Sequence, residues 1–279
     1  MDFLDCYQLC KTADSAQLWA WTTHEDEQLR YAAGRQLQYE KFSAIAQVIE
    51  EKLSSKFDPR SWEMMAFIVG QPQAELTRDD IVRIQDILTR LLCSDNEAVV
   101  ASVICALGHL YSNGLLGEED FCQFEPAIRT ACDRDDRDTR ISLLFAIASL
   151  PPRSFLADYV LQQMRRPGQD PDSSETVSWA LFALEYGPYP FEEVDPLLIT
   201  IAETVDSDVA AEALTLLVQR EQDSALALAE EYCKRRESAF AFDAEIEIHD
   251  DLLTVLADSR DERLRAIYQR LNALLKASD

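Results

Sequence analysis

Histidine and cysteine are the side chains most able to do chemistry here, and the sequence holds three of the first and seven of the second. A metal centre or an acid–base pair needs several such groups converging on one point. His24, His109 and His249 are far apart in sequence, and each reads as a surface or capping residue. Cys6 and Cys10 stand one helical turn apart, yet no nearby His or Cys completes a ligand set. Cys93, Cys105, Cys122 and Cys132 sit in apolar helical contexts and are expected to be small buried hydrophobes in a reducing compartment. No phosphate-cradling glycine loop, nucleophile elbow or Cys/His metal spacing occurs. The expectation is a non-enzyme with no catalytic residues, no metal and no cofactor.

Charge is the stronger signal. Asp and Glu number 51 against 26 Lys and Arg, a net charge of −25. The excess is spread along the chain: residues 1–140 hold 25 acids and 14 bases, and residues 141–279 hold 26 and 12. Between Arg166 and Arg220 there is no Lys or Arg but there are 11 acids, and from Glu237 to Ser259 there are seven acids and again no base. Such a field repels nucleic acid and anionic membranes and attracts basic partners. Plain solubility is the competing explanation. The start, "MDFLDCYQLCK", lacks a secretory signal's positive charge, and no apolar run nears the ~18–20 residues that span a bilayer, so a cytoplasmic location is expected.

Elements must position whatever function exists, and the composition selects helix. Leu, Ala, Glu, Gln and Arg are abundant, and only 7 Gly and 10 Pro are present. "VVASVICALGHL", Val99 to Leu110, shows the organising pattern. Numbered from Val99 as position 1, small or apolar residues at 1, 5, 8, 9 and 12 gather on one helix face, with Gly108 at position 10 permitting close approach. Comparable stretches begin at Leu29, Ser61, Thr139, Thr176, Val209 and Ile248, with successive starts 32, 38, 40, 37, 33 and 39 residues apart. Acidic turns able to cap a helix precede most of them: Asp58, Asp95, Asp133 to Asp138, Asp172, and Asp206 with Asp208. A second amphipathic segment lies ahead of each turn, as in "FSAIAQVIEEKL" from Phe42 and "IVRIQDILTRLL" from Ile81. Pro151–Pro152 and the run around Pro167 to Glu175 read as longer loops.

Helix, acidic turn and helix at this period resemble the HEAT-repeat family, on the Val-x-x-x-Val-x-x-Ala-Leu-Gly-x-Leu of Val99 to Leu110 and on Arg30 and Arg140 at position 2. The likeness spans residues 14–276. It implies an all-α, right-handed solenoid of about seven HEAT-like hairpins plus a C-terminal capping helix from Asp261, in one domain of residues 1–279. Three HEAT-like enzyme classes fit poorly. DNA glycosylases of this kind need a basic face. Deoxyhypusine hydroxylases need several His-Glu pairs, where this chain has His24–Glu25 alone. For phycobilin lyases no motif here points to a bilin.

The flank of the register's apolar stripe, positions 4, 7 and 11, is where a partner would touch. In the fifth copy it carries Trp179, Phe182 and Tyr186. Acids surround them in this and the next copies: Asp172, Glu175, Glu185, Asp208, Glu212, Asp250, Asp251 and Asp258. Aromatic anchors ringed by acids suit a basic protein partner. The alternative is that these rings fill gaps between repeats, as Phe67 and Phe145 at position 7 would. A narrower likeness, in "YQLCK" at Tyr7 and "AFIVGQ" at Ala66 to Gln71, is to HEAT-repeat immunity proteins encoded beside Rhs-type polymorphic toxins. It implies an immunity protein that binds a cognate toxin domain; if that domain is a basic nuclease, the acidic surface stands in for nucleic acid. A general HEAT adaptor for an endogenous complex and a lyase-type enzyme are the alternatives.

Overall fold

The computed structural model describes residues 2–55, 57–165, 173–188, 194–204, 207–241 and 248–278; they form sixteen helices, and no strand occurs among them. The helices belong to two compact units, Met1–Phe155 and Leu156–Asp279.

The first unit holds α1 (Phe3–Cys10), α2 (Ser15–Trp21), α3 (Glu27–Leu37), α4 (Phe42–Leu53), α5 (Pro59–Gly70), α6 (Arg78–Leu92), α7 (Glu97–Ser112), α8 (Glu118–Cys132) and α9 (Arg137–Ile147). The register helices α3, α5, α7 and α9 stack one on the next, while α4 packs on α6 and α6 on α8. The inward face is the one the periodicity picks out: Val99, Val103, Ala106, Leu107 and Leu110 are all buried. Position 10 explains how closely the layer is packed. A Cβ on Gly70 would lie 2.5 Å from the Ala106 Cβ and 2.7 Å from its Cα, and one on Gly108 would lie 2.9 Å from the Ala146 Cα. Backbone meets backbone there, and only a missing side chain allows it.

Turn chemistry agrees with the acidic-cap reading in kind and differs in places. Asp136 accepts the Thr139 N–H at 2.7 Å, starting α9, and Asp26 caps α3. At α7 the cap is Asn96, which accepts the Val99 N–H at 3.2 Å, not the expected Asp95. Asn96 is the residue in extended conformation directly before the helix, and Asp95 falls one place too early. Asp58 stands at the N-cap of α5 but makes no side-chain cap bond. Arg30 and Arg140 close their turns from inside the helix. Arg30 Nη1 donates to the carbonyls of His24 at 2.9 Å and Glu25 at 3.1 Å, and Arg140 Nη2 donates to that of Asp135 at 2.9 Å.

Two expectations need correcting in this unit. Cys93 and Cys122 are exposed, and Cys105 and Cys132 are only partly covered; the fully buried thiols are Cys6, Cys10 and, in the second unit, Cys233. Cys93 has left the helical face altogether, as the C-cap of α6, where its Sγ lies 3.4 Å from the Thr89 carbonyl oxygen. In addition, α1 precedes the first hairpin and packs on α3, an element that the repeat spacing does not announce.

The second unit contains most of α10 (Ser154–Met164), then α11 (Ser173–Tyr186), α12 (Asp195–Thr204), α13 (Ser207–Gln219), α14 (Ser224–Ala241), α15 (Asp250–Asp258) and α16 (Glu262–Ser278). Pro151 and Pro152 lie in the connection after α9, as expected; of the second expected loop, Ser173 to Glu175 already belong to α11. Here α11, α13 and α15 stack in order, and α12 packs on α13 and α14. The capping helix α16 closes the unit on α14 and α15. Arg270 fastens it, donating to Glu237 Oε1 and Oε2 at 2.8 Å each and to Glu230 Oε2 at 2.9 Å. Arg265 repeats the turn-closing device of Arg30, donating to the Ser259 carbonyl at 2.6 Å. No helix among the described residues is long and apolar enough to cross a membrane.

Candidate functional site

The aromatic row of the fifth copy lines one side of α11, because residues three and four apart on a helix are neighbours. Trp179 meets Phe182 edge-on at 5.5 Å between centroids, and Phe182 meets Tyr186 at 4.8 Å with the rings tilted by 40°. Trp179 and Phe182 are half-buried, and Tyr186 is 61% exposed.

Rings at position 7 have a different fate in the first unit. Phe67 stands edge-on to Tyr31 of the preceding register helix at 5.3 Å, and Phe145 packs on His109 of its predecessor at 5.1 Å. Each fills the seam between two repeats. In α13 the equivalent position is Thr215, a smaller side chain whose hydroxyl donates to the Ala211 carbonyl of its own helix at 2.8 Å. No ring from α13 therefore covers the α11 row, and a hollow of about 250 Å³ remains between α11, α13 and α15.

Its walls combine apolar surface with acid. Alongside the three rings stand Ser178, Leu181 and Glu185 of α11, Glu212, Thr215 and Leu216 of α13, and His249 and Asp251 at the start of α15. The Ser178 hydroxyl donates to Glu212 Oε1 at 2.8 Å. His249 sits between two carboxylates, its Nε2 4.0 Å from Glu212 Oε1 and its Nδ1 3.8 Å from Asp251 Oδ2. That Nδ1 is buried and has no hydrogen-bond partner among the described residues. Burial pushes the Glu212 carboxyl above the usual range; the Ser178 hydrogen bond and His249 oppose this, and the charges of Asp208 and Glu185 add to it. The Tyr186 hydroxyl is pushed up chiefly by neighbouring Glu185. Among the described residues, no Lys or Arg lines the hollow. A second hollow of about 280 Å³ adjoins it, sharing Ser178 and Glu212 and adding Ser174, Glu175, Asp208 and Val209.

Of the residues singled out in the sequence, Trp179, Phe182, Glu185, Tyr186, Glu212 and Asp251 thus come together in one hollow, and Glu175 and Asp208 in its neighbour. Asp250 and Asp258 are exposed on α15 and line neither; Asp172 lies outside the described residues. Ser178 and His249 were not singled out, since neither stands at position 4, 7 or 11, and a lone His before "DD" reads as a surface residue. The other histidines do ordinary structural work: His24 Nδ1 accepts the Asp26 N–H at 3.0 Å, and His109 packs on Phe145. Among the described residues no group of three or more His, Cys, Asp or Glu side chains could hold a metal ion. What the hollow can do chemically is hold a cation, through ring faces and carboxylates together.

Sixteen helices among the described residues, stacked as hairpins within each unit, define an all-α helical-repeat fold. The sequence matches no protein-family model and no curated protein. Among solved structures, the X-ray structure of the Escherichia coli protein YibA is similar at a TM-score of 0.70, with 16% identity, covering 98% of this chain and 94% of that one. At that identity the likeness shows the fold alone. An engineered protein matches at a TM-score of 0.45 with 18% identity, covering 99% of this chain and 71% of that one. A designed armadillo repeat protein solved in complex with the peptide (KR)4 matches at 0.32 with 15% identity, covering 96% of this chain and all of that one, 100%. At those scores neither adds to the fold assignment.

Proposed function

We propose that this is a binding protein, not an enzyme, and that it captures a basic protein domain on the acidic, aromatic groove of its second unit and so inhibits it. One observation carries the reading: rings and carboxylates converge on a hollow that no Lys or Arg among the described residues lines, within a chain of net charge −25. Desolvated rings supply anchoring area, and the surrounding acid steers encounter and rejects acidic competitors. The finer proposal is toxin immunity in the cytoplasm, with a basic toxin domain as the partner; a nuclease fits, because carboxylates would then occupy the surface meant for phosphate. Support for that step comes from the likeness of "YQLCK" and "AFIVGQ" to Rhs-associated immunity proteins. Most of Ala66 to Gly70 is buried, so that segment bears on packing and the groove bears on recognition.

The test is co-expression with the toxin domain encoded beside the gene, followed by capture at low and high salt. Growth rescue and a complex of about one to one that loosens at high salt are expected. Neither rescue nor binding by any basic domain encoded nearby would overturn the immunity reading. Capture of several unrelated housekeeping proteins would replace it with an adaptor role.

A further inference from the structure

We propose that the hollow between α11, α13 and α15 is a seat for one arginine side chain of the partner, its guanidinium lying against the Trp179–Phe182–Tyr186 row and its N–H groups facing Glu212 and Asp251. This rests on the partner being basic, as proposed above, and names the group that is recognised.

Size comes first. At about 250 Å³, the hollow is smaller than the roughly 300–1,000 Å³ of sites that enclose whole small molecules. One long side chain fits that space. Charge comes second. Glu185, Glu212 and Asp251 line it, and among the described lining residues only His249 is able to carry a positive charge. The sequence provides no Lys or Arg between Arg166 and Arg220 or between Arg236 and Arg260, so nothing on α11, α13 or α15 can supply the missing cation from within.

Unmet polar demand comes third. Ser178 and His249 both approach Glu212 on Oε1. His249 Nδ1 is buried and has no hydrogen-bond partner among the described residues. Glu212 sits where ionisation is penalised by burial, so an incoming cation relieves a penalty already present in the free protein. The choice of arginine over lysine follows from shape. A planar guanidinium stacks on rings while presenting N–H edges to two carboxylates, whereas an ammonium is a strongly hydrated point charge.

The experiment uses the full chain and Nα-acetylarginine methylamide as probe, followed by the indole N–H NMR signal of Trp179. That signal is identified by its loss in Trp179→Phe. Saturable binding is expected with Kd on the order of 1 mM, as befits a fragment of this size. The lysine analogue should bind more weakly, and the uncharged citrulline analogue should leave the signal in place. Glu212→Gln with Asp251→Asn should weaken arginine binding at least about tenfold, since each charged hydrogen bond lost is worth roughly that factor. Circular dichroism confirms that the variant is folded. Should Trp179→Phe fail to fold, Glu212→Gln alone identifies the site by the indole signal that stops responding. Citrulline binding as well as arginine, an unchanged affinity in the folded double variant, or no response well above millimolar probe would each overturn the seat.

The two proposals fail separately. A captured basic partner whose affinity ignores the double variant removes the arginine seat and leaves the inhibitor standing. An arginine probe that binds, in a protein that holds no basic partner, leaves the seat and removes the inhibitor.

Discussion

Glu212 meets opposed demands. Its carboxyl is pushed up by burial, so the folded state holds the proton more tightly than the unfolded chain does. Ionisation therefore costs stability as pH rises through the carboxylate range, and the cost disappears at low pH, where both states are protonated. Glu212→Gln keeps an oxygen for the Ser178 hydroxyl and removes the charge. We expect the variant to be more stable at pH 7 by a few tenths to about 1 kcal/mol, typical of relieving one functional strain. Thermal melts should show that gain shrinking toward zero near pH 4, while affinity for a basic partner falls. A melt at pH 7 no higher than the parent's would refute the account of Glu212. Thiol accessibility is a second residue-scale prediction. Native alkylation should modify exposed Cys93 and Cys122 first and spare Cys6, Cys10 and Cys233 until unfolding, as peptide mapping would read. Cys132, part-covered and with its thiol pushed up by burial to about 12, should react slowly.

Helices in this protein are held by two devices that a hydrophobic pattern does not display. One is backbone contact at position 10. Gly70→Ala places a methyl 2.7 Å from the Ala106 Cα, so α5 and α7 must part. Overpacking of this kind costs about 1–3 kcal/mol, more than the gain in helix propensity returns. Urea denaturation should show a lower midpoint with an unchanged slope; a midpoint at or above the parent's would mean that the layer is loose. The other device is the buried arginine that closes a turn. Arg140 is 6% exposed and donates to the Asp135 carbonyl at 2.9 Å. Arg140→Ala leaves that carbonyl short of a donor and should cost about 1.5–3 kcal/mol, the range for hydrogen bonds involving a charged group. Lysine has one charged tip in place of a planar fork, and Arg140→Lys should recover little of the loss.

On the scale of the whole molecule, charge governs kinetics more than affinity. A net −25 produces a field that reaches beyond contact distance at low salt, and a Debye length of about 8 Å at 0.15 M ionic strength cuts most of it away. Stopped-flow association with a basic partner should slow by about tenfold or more between low and high salt, while dissociation, set by the desolvated rings, changes less. If dissociation carried the whole salt effect, the acids would be contact residues and not a steering field.

Much of this organisation is written locally. Register helices, their spacing and their buried stripes follow from small and apolar residues at 1, 5, 8, 9 and 12, because a helix turns the same way wherever it occurs. Gly108 announces close packing for the same reason, and the base-free spans are visible by counting. The sequence also marks Trp179, Phe182 and Tyr186 as one row, since neighbours on a helix are fixed by spacing alone. It does not say whether that row is covered. The same ring type at position 7 is a seam filler in Phe67 and Phe145 and a groove wall in Phe182. The difference lies in the next repeat: Phe67 and Phe145 bring a ring at position 7 to the register helix before them, while α13 brings only Thr215 to α11. Likewise His249 becomes a groove residue because stacking brings the start of α15 to Glu212, 37 residues away in sequence. Periodicity determines which side chains share a face; only the packing of one helix on the next decides which faces stay open, because coverage depends on the size of what stands opposite.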